Sequence, residues 1–349
     1  MAAETFPDRV HEATLGYFQI LSMYLGIRLG LYDALGESDV TSDALADRAG
    51  IDARYAREWC EQQATIGVLA ADATQDPPVF RMPDDVRESL LDPDSTSYLG
   101  ATIRQLASLR AVIDPIVEVY RTGQGLLPEM FGAESADGQG GSNRPVYLTT
   151  MPTDWLPNIE PFRTKLESGP TRVIDIGCGH GWSSIALALA YPHASVDGYD
   201  PDAYSLEQAR QHAEDAGVGD RVRFHTADGA TIDATADLAM AFECIHDMPN
   251  PVEVLGAARK ALSDDGAMLV VDERTRDRFD GSFDATEAYF YGWSIFDCLP
   301  AGRAATPSAA TGTVMRPGTL RGYAEAAGFT RFEVLPIEHD AFRLYLLRP

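Results

Sequence analysis

The sequence predicts an α/β protein in two parts: an N-terminal all-α winged-helix domain and a Rossmann-like, seven-stranded domain whose last strand is antiparallel. Three observations support this prediction. Two short helical patterns joined at a glycine precede strand-like stretches near the N-terminus, strands and helices alternate from Thr171 onward, and a glycine-rich turn follows the first of those strands. Nearly continuous apolar strands that alternate with helices indicate a parallel sheet covered on both faces.

The N-terminal part begins with a strongly apolar helical pattern over residues 14–35. A helix that stops at Gly50 and a second helix from about Asp52 to Thr65 form a helix-turn-helix. The stretches GVLAAD and VFRMP alternate like strands around a proline turn, as in the wing of a winged helix. Because the first helix is apolar over more than one face, we expect this part to form a homodimer.

Three regions follow from these patterns: a winged-helix dimerisation domain over 1–100, a helical linker and substrate-site region over 101–170, and a Rossmann-like domain over 171–349. Within the middle region the stretch GAESADGQGGSNRP is rich in glycine and predicts a hinge without regular structure. The tail ends in two strands separated by a turn at His339 and Asp340, which predicts an antiparallel hairpin.

The charge composition excludes polyanionic partners. The chain has 28 Lys plus Arg against 53 Asp plus Glu, a formal net charge of −25, which repels nucleic acid and anionic membranes. Residues 1–100 carry seven arginines, no lysine and 18 acids. A DNA-binding winged helix needs the opposite balance. We therefore expect a small-molecule partner, with no nucleic acid and no membrane.

Composition also bears on the cellular setting. Only two basic residues are lysines, Lys165 and Lys260, and the acids are spread from Glu4 to Asp340. This pattern is typical of proteins from a high-salt cytoplasm, although a GC-rich genome would also favour arginine. The four cysteines form no CxxC pair, and the N-terminus lacks a signal-peptide pattern. We expect a soluble, cytoplasmic, halophilic protein with reduced thiols.

The glycine-rich turn after the first strand of the Rossmann-like domain predicts a ligand-binding loop. It spaces Gly177, Gly179 and Gly181 as GxGxG at the end of a strand, where glycines let the backbone approach a ligand that a Cβ would exclude. A dinucleotide site would have GxGxxG, with glycine at the position of Trp182. A NAD-dependent dehydrogenase is therefore disfavoured.

With Asp175 two residues before its first glycine, this motif resembles the first motif of the class I S-adenosylmethionine-dependent methyltransferases. The resemblance implies S-adenosyl-L-methionine as cofactor and S-adenosyl-L-homocysteine as product. It implies that Asp175 anchors the loop and the amino-acid end of the cofactor, while Gly177 and Gly179 pass beneath its carboxypropyl and ribose groups. The other cofactor-binding residues that it implies are Cys178, Gly181, Asp200, Pro201, Ala227, Asp228, Gly229 and Glu243.

Two acids in that set end successive strands. Asp200 follows Gly181 by 19 residues, where a carboxylate can accept hydrogen bonds from both ribose hydroxyls. Asp228, in TADGA, resembles the family residue that binds the adenine amino group. Either acid alone could be a solvated loop residue, but both occur in the expected order.

The fourth strand of the sheet ends in the segment FECIHDMPN, which resembles the HDW segment of the winged-helix O-methyltransferases. The resemblance implies that His246 is the general base for a substrate hydroxyl and that Asp247 stands beside it, although Met248 replaces the tryptophan. Imidazole titrates near neutral pH and can accept such a proton. The alternative is that His246 only caps the next helix or lines the cofactor pocket.

Asp272 and Glu273 close the fifth strand, where the O-methyltransferases keep an acid that orients the base. Asp272 is the better match by its distance from Gly266. Cys244 and His246 offer two metal ligands without a third nearby, so we predict no metal.

An aromatic-rich insertion over residues 283–317, between the fifth strand and the last helix, would cover the acceptor site. The alternative is that its rings pack in the core or in a dimer surface. The sequence thus predicts an enzyme that transfers a methyl group to a small molecule, with a hydroxyl oxygen as the preferred acceptor. The alternative is a cofactor-sensing winged-helix transcriptional regulator without methyl transfer.

Overall fold

The computed structural model describes residues 5–349, which separate into two compact units. The first unit ends at Ser108 and the second runs from Leu109 to Pro349, so residues 109–170 group with the large sheet. Among the described residues, no helix combines the length and the apolar character needed to cross a bilayer.

The first unit is a winged helix. A three-stranded antiparallel sheet in the order β1-β3-β2 stands beside its helices. The strands are β1 (Val40–Thr41), β2 (Ala70–Asp72) and β3 (Val79–Arg81), and the helices are α1 (Phe6–Arg28), α2 (Leu31–Leu35), α3 (Ser42–Ala49), α4 (Ala53–Thr65), α5 (Asp84–Leu91) and α6 (Gly100–Ser108).

Local side-chain signals fix the helix-turn-helix. The Thr41 hydroxyl accepts the amide of Ala44 and caps α3, which ends at Gly50 in a left-handed conformation with φ 67°. The Asp52 carboxylate then caps α4. The predicted helix-turn-helix is confirmed, whereas the single helix predicted over residues 14–35 is broken at Gly30 into α1 and α2.

Helix α1 buries only one of its faces. Ile20, Met23 and Ile27 pack on the core of the first unit. On the remaining surface Tyr17 is 59% and Phe18 is 58% exposed. An apolar stripe of this kind is unusual on a solvated helix.

The second unit is a seven-stranded sheet in the order β6-β5-β4-β7-β8-β10-β9. Strands β4 to β8 are parallel, and β10 is antiparallel to both β8 and β9, so the predicted closing hairpin is confirmed. The strands are β4 (Thr171–Ile176), β5 (Ala194–Asp200), β6 (Val222–Thr226), β7 (Ala236–Phe242), β8 (Leu262–Glu273), β9 (Arg331–Val334) and β10 (Phe342–Arg348).

Helices cover both faces of this sheet. Along β4, Val173 packs in one hydrophobic cluster with Ile185, whereas Ile174 packs in another with Val254. The alternation follows the pleat of a strand that is buried on both sides. The helices are α7 (Ile113–Thr122), α8 (Pro128–Phe131), α9 (Ala133–Leu148), α10 (Phe162–Ser168), α11 (Trp182–Ala190), α12 (Ala203–Asp215), α13 (Pro251–Ala261), α14 (Ala285–Trp293), α15 (Leu299–Gly302) and α16 (Pro317–Ala326).

The prediction of a glycine-rich hinge was wrong. The stretch that begins at Gly132 forms helix α9, which packs against α11 and α12 and buries Tyr147. Glycine lowers helix propensity by about 1 kcal/mol relative to alanine, but tertiary packing often overrides propensity. One glycine of α9, Gly140, allows the helix to approach the neighbouring loop, because a Cβ there would lie 2.4 Å from the His180 ring.

Candidate active site

The loop between β4 and α11 is shaped by its glycines. All three have positive φ: 67° at Gly177, 49° at Gly179 and 79° at Gly181. A Cβ at Gly177 would lie 2.6 Å from the Cβ of Cys244, and one at Gly181 would lie 2.6 Å from the Phe224 ring. Both backbone conformation and space therefore require glycine at these two positions.

Asp175 lies beneath this loop and is 1% exposed. Its Oδ2 accepts hydrogen bonds from the hydroxyls of Ser183 and Ser184, both at 2.6 Å, which ties β4 to the first turn of α11. Its Oδ1 is buried and has no hydrogen-bond partner within residues 5–349. Burial raises the pKa of Asp175 to about 6, against the lowering effect of the two serine hydrogen bonds.

Asp200 holds the loop from the neighbouring strand. Its Oδ2 accepts the amide of Gly179 at 2.9 Å, and its Oδ1 accepts the amide of Asp202 at 2.8 Å. Burial raises the pKa of Asp200. Pro201 follows on the exposed surface, and the Cys178 side chain packs inward in a small cluster with α12.

Three more of the predicted cofactor-binding residues, Ala227, Asp228 and Gly229, follow strand β6. The Ala227 amide donates to the Asp200 carbonyl at 3.1 Å, so these two strand ends adjoin. The Asp228 carboxylate caps a short 3₁₀ turn through the Ala230 amide, and its residue is exposed. Gly229 is buried, and a Cβ there would meet side chains of the core at 2.9 Å.

A cavity of about 140 Å³ opens beside the glycine loop. Helix α9 forms one wall, the loop and the start of α11 a second, and the end of β7 a third. Neither Asp200 nor Asp228 lines it. The lining residues are Ala136, Gln139, Gly140, Asn143, Tyr147, Gly177, Cys178, Gly179, His180, Trp182, Ser183, Ser205, Phe242 and Glu243.

Glu243 ends β7 at this cavity in a left-handed backbone conformation with φ 51°. Such a conformation is strained for a residue with a Cβ. Its Oε1 accepts the Tyr147 hydroxyl at 2.9 Å, which links β7 to α9. Burial raises the pKa of Glu243 to about 7, although the Tyr147 hydrogen bond and His246 lower it.

His246 lies one turn further, in the 3₁₀ turn Ile245–Asp247, and is 2% exposed. Its Nδ1 is 2.9 Å from Asp272 Oδ1 and 3.2 Å from Glu273 Oε2, and the contact with Asp272 is a hydrogen bond. Its Nε2 lies 3.3 Å from Asp247 Oδ1. The fold thus brings together the three residues predicted as catalytic, and adds Glu273.

The imidazole of His246 and the neighbouring carboxyl groups shift one another's pKa values in different directions. Burial lowers the pKa of His246, but the carboxylates of Glu273, Asp247 and Asp272 outweigh burial and hold that pKa well above its ordinary value. Burial raises the pKa of Asp272, but His246 and local hydrogen bonds lower it overall. Burial and neighbouring carboxylates raise the pKa of Glu273 well above its usual range.

The aromatic insertion covers part of this turn. The Gly312 amide donates to the His246 carbonyl at 3.1 Å, and a Cβ at Gly302 would lie 2.9 Å from the Asp247 carbonyl oxygen. Tyr289 is 50% exposed, whereas Phe290 is 4% exposed. The insertion therefore supplies both core and surface rings.

Two groups of three potential metal ligands share His246: one with Asp247 and Cys298, the other with Asp272 and Glu273. Sequence reasoning considered Cys244 instead, whose thiol donates to the Ile176 carbonyl at 3.1 Å. The 2.9 Å contact between His246 and Asp272 has the length of a hydrogen bond.

Sequence reasoning missed Tyr147, His180 and Cys298. Tyr147 and His180 line the cavity, and Cys298 approaches His246 from the insertion. Only His180 had a local signal, because it stands inside the GxGxG motif. The other two come to the site through tertiary packing.

The residues around the loop fit a cofactor with a charged amino-acid end. In the described part of the chain, Asp175 Oδ1 and His180 Nε2 are buried polar atoms without hydrogen-bond partners; the oxygen is an acceptor and the nitrogen can donate. The backbone amides at the start of α11 add partial positive charge.

Two family models match the chain. A methyltransferase domain model matches residues 167–310, and a model described as an Rv2258c-like winged HTH domain matches residues 19–90. These matches agree with the fold of the two units.

A curated relative is the N,N-dimethyltransferase OxyT of Streptomyces rimosus, 25% identical over 275 residues that cover 76% of this chain and 77% of OxyT. The solved structure of the mitomycin 7-O-methyltransferase MmcR is 20% identical, covers 98% of both chains and has a TM-score of 0.74. Human N-acetylserotonin methyltransferase, solved with S-adenosylmethionine, is 15% identical, covers 100% of this chain and 99% of its own, and has a TM-score of 0.71.

The fold, the glycine loop and these matches define a class I methyltransferase with S-adenosylmethionine as its cofactor. The chain combines this methyltransferase domain with an N-terminal winged-helix domain, and the structure of MmcR is similar to it over both parts.

Proposed function

We propose that the protein methylates a hydroxyl oxygen of a small molecule and that His246 is the general base. The observation that carries this proposal is the buried hydrogen bond between His246 and Asp272 at the carboxyl ends of β7 and β8. Ligands of open α/β sheets bind outside the carboxyl ends of the strands.

When bound, S-adenosylmethionine supplies the methyl group as a sulfonium. Asp272 holds the imidazole through Nδ1–H, so that Nε2 of the neutral ring carries the lone pair. His246 then accepts the proton that the acceptor hydroxyl loses. Asp247 stands beside Nε2, and because its side chain is 41% exposed we assign it a position next to that hydroxyl.

For the cofactor, we assign the loop of Gly177, Cys178, Gly179 and Gly181 to its central part. The buried carboxylates of Asp175 and Glu243 are acceptors for the ammonium group of its amino-acid end. We assign the ribose and the adenine to the adjoining ends of β5 and β6, with the residues Asp200, Pro201, Ala227, Asp228 and Gly229.

A nitrogen acceptor is the second candidate. OxyT is named an N,N-dimethyltransferase. In addition, the carboxylates of Asp247, Asp272 and Glu273 all lie within 3.3 Å of the His246 imidazole. Such a group of carboxylates would bind an amine in its protonated form and accept the proton that the nitrogen loses before it attacks the methyl group. The comparisons favour either enzyme over a transcriptional regulator.

We also propose that the chain forms a homodimer through the exposed face of α1, in a high-salt cytoplasm. The exposed Tyr17 and Phe18 side chains and the net charge of −25 support these two assignments.

The first experiment is thermal unfolding in molar KCl with S-adenosylmethionine, S-adenosylhomocysteine or NAD. Ligand at about 100 times its Kd adds roughly 2.7 kcal/mol to the free energy of unfolding. Tritiated-methyl transfer to catechol and to phenethylamine then tests the acceptor atom. His246→Ala should abolish transfer to catechol, and the exposed His193→Ala is the control. If the wild type, His246→Ala and His193→Ala transferred methyl groups to catechol at the same measurable rate, the assignment of His246 as the base would be contradicted.

A further inference from the structure

His180 is a buried polar residue that the proposed reaction does not use. It lies in the glycine loop between Gly179 and Gly181, is 7% exposed and lines the cavity beside α9. Its Nε2 is buried and has no hydrogen-bond partner among the residues that the structure describes. Asp137 Oδ1 lies 3.9 Å from this nitrogen, which is beyond hydrogen-bond distance.

The ring of His180 is held in place from several sides. On α9, Gly140 leaves space for it, because a Cβ there would lie 2.4 Å from the His180 Cγ and Nδ1 atoms. The rings of Tyr204 and His212 flank it at 6.3 and 5.9 Å between centroids. The His212 Nδ1 also contacts the His180 carbonyl oxygen at 3.1 Å. A side chain fixed in this way can present one nitrogen in a constant direction.

The protonation state of His180 suits a hydrogen-bond donor. Burial lowers the pKa of His180, against the raising effect of Asp137. A neutral imidazole carries one N–H and one lone pair. An unpaired buried nitrogen costs free energy, which a ligand that accepts from it recovers.

The cavity next to His180 suits the amino-acid end of the cofactor. Asp200 and Asp228, which we assign to the ribose and adenine, do not line it. On its far wall stands Glu243, whose carboxylate can accept from an ammonium group. A ligand with both an ammonium and a carboxylate therefore finds an acceptor at Glu243 and a donor at His180.

We propose that His180 Nε2–H donates a hydrogen bond to the α-carboxylate of the cofactor and that Gly140 positions His180 for this contact. The inference rests on the proposed placement of the cofactor over the glycine loop. It makes His180 a binding residue that distinguishes cofactors with an amino-acid end from nucleosides without one.

The test compares S-adenosylhomocysteine with 5′-methylthioadenosine, which has the same nucleoside thioether without the amino-acid end. Isothermal titration calorimetry of the full-length protein gives the Kd of each ligand. For His180→Ala we expect S-adenosylhomocysteine to bind about 10- to 100-fold more weakly, the loss typical of a hydrogen bond to a charged group. The Kd of 5′-methylthioadenosine should change less than about threefold.

Three further variants control for a structural effect. His180→Gln, whose amide can donate, should recover part of the affinity. Gly140→Ala should displace the ring and weaken S-adenosylhomocysteine selectively. His193→Ala, at an exposed residue outside the cavity lining, should leave the Kd of both ligands unchanged.

Equal weakening of both ligands by His180→Ala, or no weakening of either, would overturn the proposal. If the wild-type protein bound 5′-methylthioadenosine but not S-adenosylhomocysteine, the placement of the cofactor would fail as well. Thermal unfolding of each variant without ligand shows whether it is folded.

Discussion

The Nδ1 atom of His246 lies 2.9 Å from Asp272 Oδ1, and both residues are 2% exposed. In this arrangement the carboxylate selects the tautomer that leaves Nε2 as the proton acceptor. Asp272→Asn keeps the shape but weakens that selection. We expect the methyl-transfer rate to fall about 10²- to 10⁴-fold, with the Kd of S-adenosylhomocysteine unchanged within about twofold.

Asp265→Asn is the matched control for this variant. Asp265 is on the same strand but has an 81% exposed side chain paired with Lys165. Both rate and affinity should stay at the wild-type value. A fast Asp272→Asn enzyme would show that the pair only stabilises the fold.

The pH profile reports on the carboxylates around His246. Because they hold the pKa of His246 well above its ordinary value, the neutral ring that can accept a proton becomes more populated as pH rises, and transfer should accelerate. Glu273→Gln removes a carboxylate 3.2 Å from Nδ1, so the rising limb should move to lower pH. The same shift should appear in the His246 ring signals by NMR. A profile independent of pH would argue against proton transfer to His246.

Glu243 should make stability depend on pH. Burial raises the pKa of Glu243 in the folded state from its ordinary value of 4.5 to about 7, so the folded state binds the proton more tightly than the unfolded chain does. Its contribution is fully present below pH 4.5 and is lost as pH rises to about 7. In Glu243→Gln the free energy of unfolding should fall less between pH 4.5 and 7 than in the wild type. Urea unfolding at several pH values measures this free energy. If it changed with pH in the same way in both proteins, the assignment of the raised pKa to Glu243 would be refuted.

Asp200 should control cofactor affinity through the loop as well as through the ribose. Asp200→Ala removes the acceptor of the Gly179 amide at 2.9 Å. We expect the Kd of S-adenosylhomocysteine to rise about 10- to 100-fold, as for other charge-assisted hydrogen bonds. Asp220→Ala, at a side chain that is 79% exposed, is the calorimetric control. An unchanged Kd for Asp200→Ala would reject the ribose assignment.

The face of α1 can be tested for self-association. Tyr17→Glu with Phe18→Glu places charge on a stripe that is more than half exposed in one chain. If this face joins two copies, sedimentation in molar KCl should change from dimer to monomer. Tyr55→Glu, at a residue that is 76% exposed on α4, should leave the dimer intact. A wild-type monomer would exclude the interface.

Local patterns predicted most of the large sheet. The alternation of strands and helices predicted from Thr171 onward is confirmed by β4 to β8, because the apolar residues of each strand are contiguous in the sequence. The sequence did not predict helix α9, because its glycine content indicates a loop. The helix is stabilised by its contacts with α11 and the glycine loop, which local composition does not indicate. Likewise, Glu273 and Cys298 reach His246 only after folding, although the resemblance already indicated Asp272. The sequence did not predict the helix break at Gly30, because a single glycine within an apolar run is only a weak indication of a helix end.

The contact between Gly140 and His180 also constrains how this family can diverge. A larger residue at 140 requires a smaller one at 180, since a Cβ and the imidazole cannot share the same space. Gly140→Ala should therefore be harmful while the imidazole is present and nearly neutral in a chain that already has a smaller residue at 180, which is non-additivity between neighbouring positions. Among relatives, the two positions should therefore covary although they are 40 residues apart in sequence.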